Sequence, residues 1–415
     1  MFGYELIVIF AVIVAFYSAV NIGGNDVANA MGTSVASKAV TYKQAVLIAA
    51  VFEFAGAFFV GSHVTNTVRK EMIDLTQFVG EPRLIIYGMT ATLVGTTVWM
   101  RIATHFGWPV STTHSIVGAV IGFGIIAKGL DVVQWGKVTG IAASWIISPI
   151  SGGIMAFLIF TFIRNFILEA KNPVRRTKMI APFLVAMVIY IIMLSLVYKG
   201  LANINLDLSF KTASIMALAG AFLGGITAKI LIERHFKTVN NDGELNYKKV
   251  EKIFAVLQII TACYVAFAHG ANDVANAVGP LAAIITVVKT NEVMMSVAVP
   301  MWILALGGGG IVLGLIVLGT RVMETIGKKI TEIVPSRGFT AEFAAATTVL
   351  ICSKMGLPVS TTHTIVGAVI GVGFARGIGA LNLKVIGSIV SSWFITLPAA
   401  MLFTIITYKI ILFFS

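Results

Sequence analysis

Charge is scarce in this chain. Only 12% of its 415 residues are Asp, Glu, Lys or Arg, against roughly 25% in soluble domains, while 58% are hydrophobic and the mean hydropathy is +0.94. That composition excludes an ordinary soluble domain. Apolar runs long enough to cross a bilayer core of about 30 Å recur along the whole length, so a soluble domain with a single anchor is excluded too. Acids are rarer than bases, 18 against 30, giving a net charge of +12. In a soluble protein that balance would point to nucleic acid. Here Lys and Arg gather in a few connections, the pattern of cytoplasmic loops that set orientation, and no nucleic-acid partner is expected. Cysteine is nearly absent: Cys263 and Cys352 sit in apolar stretches without metal-ligand spacing, which argues against disulfide and zinc frameworks. No HExxH, GxSxG or P-loop pattern occurs, so neither catalysis nor a resident cofactor is expected. The stretch from Tyr4 to Asn21 lacks a preceding basic region and a small-residue cleavage site, and reads as a retained span.

What the chain does contain, it contains twice. NDVANA occurs at Asn25–Ala30 and Asn272–Ala277, and PVSTTH at Pro109–His114 and Pro358–His363, displaced by nearly the same interval. Polar motifs duplicated inside an apolar chain are the mark of a transporter built from internal repeats. Twelve apolar segments are expected, at 3–24, 40–62, 84–106, 110–128, 136–164, 179–199, 212–232, 253–270, 293–318, 341–355, 359–376 and 385–413. Gly107 and Pro109, like Gly356 and Pro358, interrupt two of the pairs, so these read as broken or re-entrant hairpins buried in protein or lining a cavity. Arg164, Lys171, Arg175, Arg176 and Lys178 precede the sixth segment, and Arg234, Lys237, Lys248, Lys249 and Lys252 follow the seventh. Placing both loops inside puts Asn203–Ser209 and both termini outside and inverts one repeat relative to the other. The loop at 319–340, with Arg321, Lys328, Lys329 and Arg337, then also falls inside. The fold expected is an all-α polytopic membrane protein of about twelve transmembrane segments in two inverted-topology repeats. The first repeat is 1–170, connecting spans and a cytoplasmic loop occupy 171–252, and the second repeat is 253–415. The hydrophilic stretch Glu233–Glu251 reads as a solvated loop.

Asp26 and Asp273 are carboxylates at the ends of long apolar runs, where a charge costs at least about 2.5–3.5 kcal/mol on insertion scales. A cost accepted twice at matching positions indicates function. In helical geometry Asn25, Asp26 and Asn29, and likewise Asn272, Asp273 and Asn276, project near one face and offer hard oxygens suited to Na⁺. Gly23, Gly24, Gly32, Gly270 and Gly279 permit either an unwound backbone whose carbonyls add ligands or close helix packing. The second motif is chemically opposite. Ser111, Thr112 and Thr113, and Ser360, Thr361 and Thr362, follow a proline at a helix start, where unpaired N–H groups and hydroxyl donors make an oxyanion cradle. Plain N-capping is the simpler reading of one copy; an exact duplication favours the cradle. His114 and His363 follow as structural groups or proton carriers. Glu53 lies within VFEFAG, and its second-half counterpart MWILALGGGG has no acid, which suggests a second ion or proton site or a hydrogen bond to a neighbouring helix. Two aspartates repel an anion unless cations lie between them, so anion binding would depend on an ion gradient, as in symport.

GGNDVANAMG at Gly23–Gly32 with AHGANDVANAVGP at Ala268–Pro280, and GWPVSTTHSIVGAVIG at Gly107–Gly122 with GLPVSTTHTIVGAVIG at Gly356–Gly371, resemble the inorganic phosphate transporter (PiT) family over essentially the full chain. The resemblance implies uptake of inorganic phosphate driven by co-transported Na⁺ or H⁺; the hard-oxygen residues favour Na⁺, and the inverted repeats imply alternating access across the cytoplasmic membrane. It assigns Asn25, Asp26, Asn272 and Asp273 to the ion and substrate centre and the two Ser-Thr-Thr runs to phosphate. Glu53 matches an acid that family members carry in the second span. The short segment at 233–252 suggests a compact prokaryotic member, and a homodimer in the lipid bilayer is a conceivable assembly. A proton-coupled phosphate or sulfate permease and a passive anion channel are the alternatives.

Overall fold

The computed structural model describes residues 5–61, 72–197, 208–236, 243–293, 299–319, 322–323, 325–354 and 359–414. Twelve α-helices lie among them: α1 (Glu5–Ala36), α2 (Tyr42–Val60), α3 (Pro82–His105), α4 (Thr112–Lys128), α5 (Trp135–Ile163), α6 (Pro173–Ser195), α7 (Phe210–His235), α8 (Gly243–Thr290), α9 (Met301–Leu318), α10 (Pro335–Lys354), α11 (Thr361–Arg376) and α12 (Leu383–Phe414). There is no strand among the described residues, only an isolated antiparallel bridge between Ile73 and Val133. Eight helices, α1, α2, α5, α6, α7, α8, α9 and α12, are long and apolar enough to cross a membrane. The expected Gly356, Pro358, Lys237, Arg321 and most of the 203–209 connection lie outside the described residues.

Local chemistry sets many of the boundaries. Thr41 and Gln44 form a capping box at α2, Asn172 caps α6 ahead of Pro173 at its first position, and Ser209 caps α7. The remaining four helices, α3, α4, α10 and α11, form two hairpins held inside the protein. Helix α3 is rich in threonine, and its buried Thr90, Thr92, Thr97 and Thr104 each donate to the carbonyl four residues back, so their hydroxyls need no outside partner.

The repeats interlock. Helix α1 packs on α9 and α2 on α8, while α4 packs on α12 and α11 on α5, so each helix of the first repeat finds its main neighbour in the second. Helices α6 and α7 form a hairpin at the edge, with α6 against α8.

One expectation changes, and one open alternative is decided. Residues 243–251 are the start of α8 rather than loop, and Glu251 there accepts from the Ser336 N–H at 2.9 Å and its hydroxyl at 2.7 Å, fixing the start of α10. The glycine-rich NDVANA segments are not unwound: α1 and α8 run through them unbroken. The glycines serve close approach instead, since a Cβ on Gly23 would lie 2.0 Å from the Ile311 carbonyl oxygen and one on Gly270 2.0 Å from that of Glu53.

Candidate functional site

The site forms where the two NDVANA helices meet the tips of the two hairpins. The first hairpin breaks at Gly107, whose φ of 68° favours glycine. Asn25 holds this break: its amide donates to the Trp108 carbonyl at 3.0 Å and to Thr104 Oγ1 at 3.1 Å, and its Oδ1 accepts from the Val110 N–H at 3.3 Å. Asn25 therefore faces the hairpin rather than Asp26. Asn272 is placed similarly, donating to the Val359 carbonyl at 3.4 Å, but it also reaches Asp273 Oδ1 at 3.3 Å.

Asp26 and Asp273 are fully buried. Asp26 Oδ1 accepts from Asn29 at 3.0 Å and from the Thr362 hydroxyl at 3.3 Å, and Asn29 also donates to Thr362 at 2.9 Å. Across the pseudo-twofold, Asp273 Oδ1 accepts from Asn276 at 2.9 Å and Thr112 at 3.2 Å, and its Oδ2 accepts from Thr361 at 2.9 Å. Asn276 also reaches Thr112 and Thr113 at 3.2 and 3.5 Å. Thr113 and Thr362 donate to the Val359 and Val110 carbonyls, at 3.3 and 3.2 Å, tying each hairpin tip to the other. Ser111 and Ser360 are the N-caps of α4 and α11, each accepting at 3.1 Å from the N–H of the histidine three residues on. Acid cage and hydroxyl cradle are thus one cluster. Within it Asp26 Oδ2, Asn29 Oδ1 and Asn272 Oδ1 are buried acceptors with no donor, an arrangement that fits a hard cation. Ligand atoms of Asp26, His269 and Asp273 lie within 4.8 Å of one another.

The model of the phosphate transporter family matches residues 22–404. The chain belongs to that family. It is 48% identical over 390 residues, 94% of each chain, to a Pyrococcus abyssi protein that carries the provisional name of a phosphate permease. It is 42% identical to the chloroplastic inorganic phosphate transporter 2-1 of Arabidopsis thaliana, over 96% of this chain and 72% of that one. A solved structure titled the sodium-dependent phosphate transporter superposes with a TM-score of 0.92 at 40% identity, covering 99% of this chain and 100% of that one. The expected family, the polytopic helical fold and transport rather than catalysis all hold.

The transporter's site departs from its own symmetry most clearly around Glu53. Contacts of Gly23 with Ile311 and of Gly270 with Glu53 show that Ile311 is the counterpart of Glu53, and His269 stands in α8 where α1 has Ile22. The pair Ile22 and Ile311 is buried and apolar; its counterpart is His269 with Glu53, both fully buried, and each pair takes one residue from each half of the chain. His269 Nε2 lies 3.0 Å from Asp273 Oδ2 and 3.6 Å from Asp26 Oδ2, and its Nδ1 lies 3.4 Å from Glu53 Oε1. Glu53 therefore reaches the centre through His269, not through His114 or His363. Sequence reading missed His269 although the signal was present: it is the one ionisable residue in AHGANDVANAVGP besides the aspartate, with an isoleucine at the matching position.

His114 and His363 do come together, with ring centroids 4.3 Å apart, flanked by Trp145 at 3.7 Å and Trp393 at 3.6 Å. His363 Nδ1 lies 3.5 Å from the Trp145 carbonyl. This stack joins the hairpins to α5 and α12. A further buried acid, Glu342, was also missed although it lies inside the expected segment 341–355; the helix itself begins earlier, at Pro335. Glu342 Oε1 accepts from Thr33 and Ser34 at 2.6 Å and from Gln258 at 3.0 Å, and Oε2 from Thr261 at 2.6 Å. The matching helix α3 contains no carboxylate.

Proposed function

We propose that this transporter carries inorganic phosphate together with sodium ions, with Asp26, Asp273, Asn29, Asn276 and Asn272 on the cation side and Thr112, Thr113, Thr361 and Thr362 on the anion side. The observation that carries this reading is that the threonine hydroxyls donate to the aspartates themselves. A sodium ion on a carboxylate takes up its oxygen lone pairs and removes its repulsion of an anion. The hydroxyl protons are then free to turn to phosphate oxygens, beside the N–H groups at the starts of α4 and α11. Cation and anion thus stabilise each other in one cluster, the physical content of coupling. Ser111 and Ser360 hold the helix starts in shape, and Asn25 holds the first hairpin break.

A cavity of about 10 Å³ lined by Asn29, His269 and Thr361 adjoins the cluster. It has room for one water-sized species, so phosphate entry requires the hairpins and NDVANA helices to separate, consistent with alternating access between inverted repeats. The repeats at 1–170 and 253–415 supply one hairpin each. The basic loops support an orientation in the cytoplasmic membrane with both termini outside.

Purified protein in liposomes, assayed for radiolabelled phosphate uptake under an inward Na⁺ gradient, an inward H⁺ gradient or neither, with excess sulfate as competitor, tests this. Uptake that needs Na⁺ and resists sulfate is expected. Uptake driven by H⁺ alone would reassign the coupling ion, block by sulfate would reassign the substrate, and gradient-independent flux would make the protein a channel.

A further inference from the structure

Residues 164–178, the connection after α5 and the first turns of α6, carry five basic side chains, and the structure divides them into two groups. Arg164 donates to the Ala375 carbonyl at 2.6 Å and lies 3.7 Å from Glu169, and Lys178 donates to the Phe236 carbonyl. These two are engaged. Lys171, Arg175 and Arg176 are exposed, and no ion pair with a described residue is formed by any of them. All three line one cavity of about 680 Å³, together with Asn165, Phe166 and Met179 and without any carboxylate.

The surroundings of the cavity are apolar on one side. Phe166 and Met179 are exposed, and the exposed surface continues to Phe162 on α5 and Phe183 on α6. Both helices are long and apolar enough to cross a membrane, so these side chains face lipid tails and the cavity sits at the polar boundary. Orientation of the chain requires positive charge near this place, but not three uncompensated cations around one concavity. Such cations repel one another, and an anion between them relieves that repulsion. The volume lies within the range of small-molecule sites and exceeds what one phosphate ion fills.

We propose that this corner is a binding site for the headgroup of an anionic phospholipid, with Lys171, Arg175 and Arg176 on its phosphodiester and its acyl chains along Phe162, Phe166, Met179 and Phe183. The transported phosphate is handled elsewhere, by the buried cluster of aspartates and threonines. The lipid site is therefore separate from transport chemistry and does not depend on which anion is carried.

The test compares the full-length transporter with its Lys171→Gln/Arg175→Gln/Arg176→Gln variant and with a control lacking three exposed charges elsewhere, Lys43→Gln/Lys137→Gln/Lys384→Gln. Each is titrated with phosphatidylglycerol in phosphatidylcholine nanodiscs, and separately with inorganic phosphate, with bound lipid read by native mass spectrometry. The apparent affinity for phosphatidylglycerol is expected to fall roughly a hundredfold in the corner variant and to stay near wild type in the control. Inorganic phosphate should neither displace the lipid nor bind the corner. Equal losses in both triple variants would reduce the effect to general charge and overturn the proposal. A phosphate signal lost in the corner variant, with lipid retention unchanged, would make the corner a free-phosphate site. A photoactivatable phosphatidylglycerol applied to the unmutated protein reads the same question without substitution: crosslinks within 164–179 support the site, and crosslinks spread evenly over the boundary refute it.

Discussion

Replacing Asp273 by Asn gives the sharpest test of the cation assignment, because the two side chains share a shape and differ in charge. Asp273 accepts from Thr112, Asn276 and Thr361 and faces His269 at 3.0 Å. An asparagine oxygen retains part of this hydrogen bonding, so the fold is expected to persist. The attraction for a sodium ion changes far more. Unit charges about 4 Å apart interact by about 4 kcal/mol at an effective dielectric constant near 20. Each ~1.4 kcal/mol is a factor of ten. Allowing for the amide dipole that remains, the half-saturating Na⁺ concentration should rise at least about a hundredfold, which in practice abolishes sodium-driven uptake. The assay is initial phosphate uptake into proteoliposomes as a function of Na⁺, normalised to protein that elutes as a single species. Wild-type sodium dependence in Asp273→Asn would refute the assignment of this carboxylate to the cation.

Three further outcomes follow from the packing. Replacing Glu53 alone by Ile removes the partner of His269 Nδ1 while Asp273 still faces Nε2, and should destabilise by about 1–3 kcal/mol, whereas Glu53→Ile with His269→Ile recreates the symmetry-related Ile22–Ile311 pair and should recover much of that; thermal unfolding in detergent distinguishes the two, and a double variant less stable than the single would refute the pairing. Gly270→Ala forces a Cβ to 2.0 Å from the Glu53 carbonyl oxygen and should cost about 1–3 kcal/mol or more, while Gly309→Ala, which meets nothing within 4 Å, should be close to neutral by the same melt. Glu342→Ala removes the acceptor of Thr33, Ser34, Gln258 and Thr261 and should lower stability by more than the roughly 1–3 kcal/mol of a single orphaned group, again read as a shift in melting temperature; an unchanged melt would show these donors find other partners.

Much of the architecture was legible because membrane insertion writes itself into local composition. Long apolar runs, paired breaks at Gly107 and Pro109, and the hydroxyl run at each helix start are all local signals, and the hairpins formed where those signals lay. The continuous helix through NDVANA was harder to read, since glycine permits both unwinding and close contact. Only the presence of Ile311 and Glu53 against Gly23 and Gly270 distinguishes the two. Glu342 was legible too: it lies inside the expected segment 341–355, where an acid between FTA and FAAATTV is an evident anomaly.

The sequence by itself determined the solvent, the duplication and the chemical types at the centre: two carboxylates flanked by amides and two runs of hydroxyls at helix starts. Tertiary structure alone decided that these motifs lie in one cluster, that Asp26 meets Thr362 and Asp273 meets Thr112, and that Glu53 lies against His269. The physical reason is that periodicity states which side chains share a face of one helix, while the partner of that face is chosen by packing between segments hundreds of residues apart. Inversion of the repeats brings Asn29 within 2.9 Å of Thr362, a pairing that no local pattern encodes.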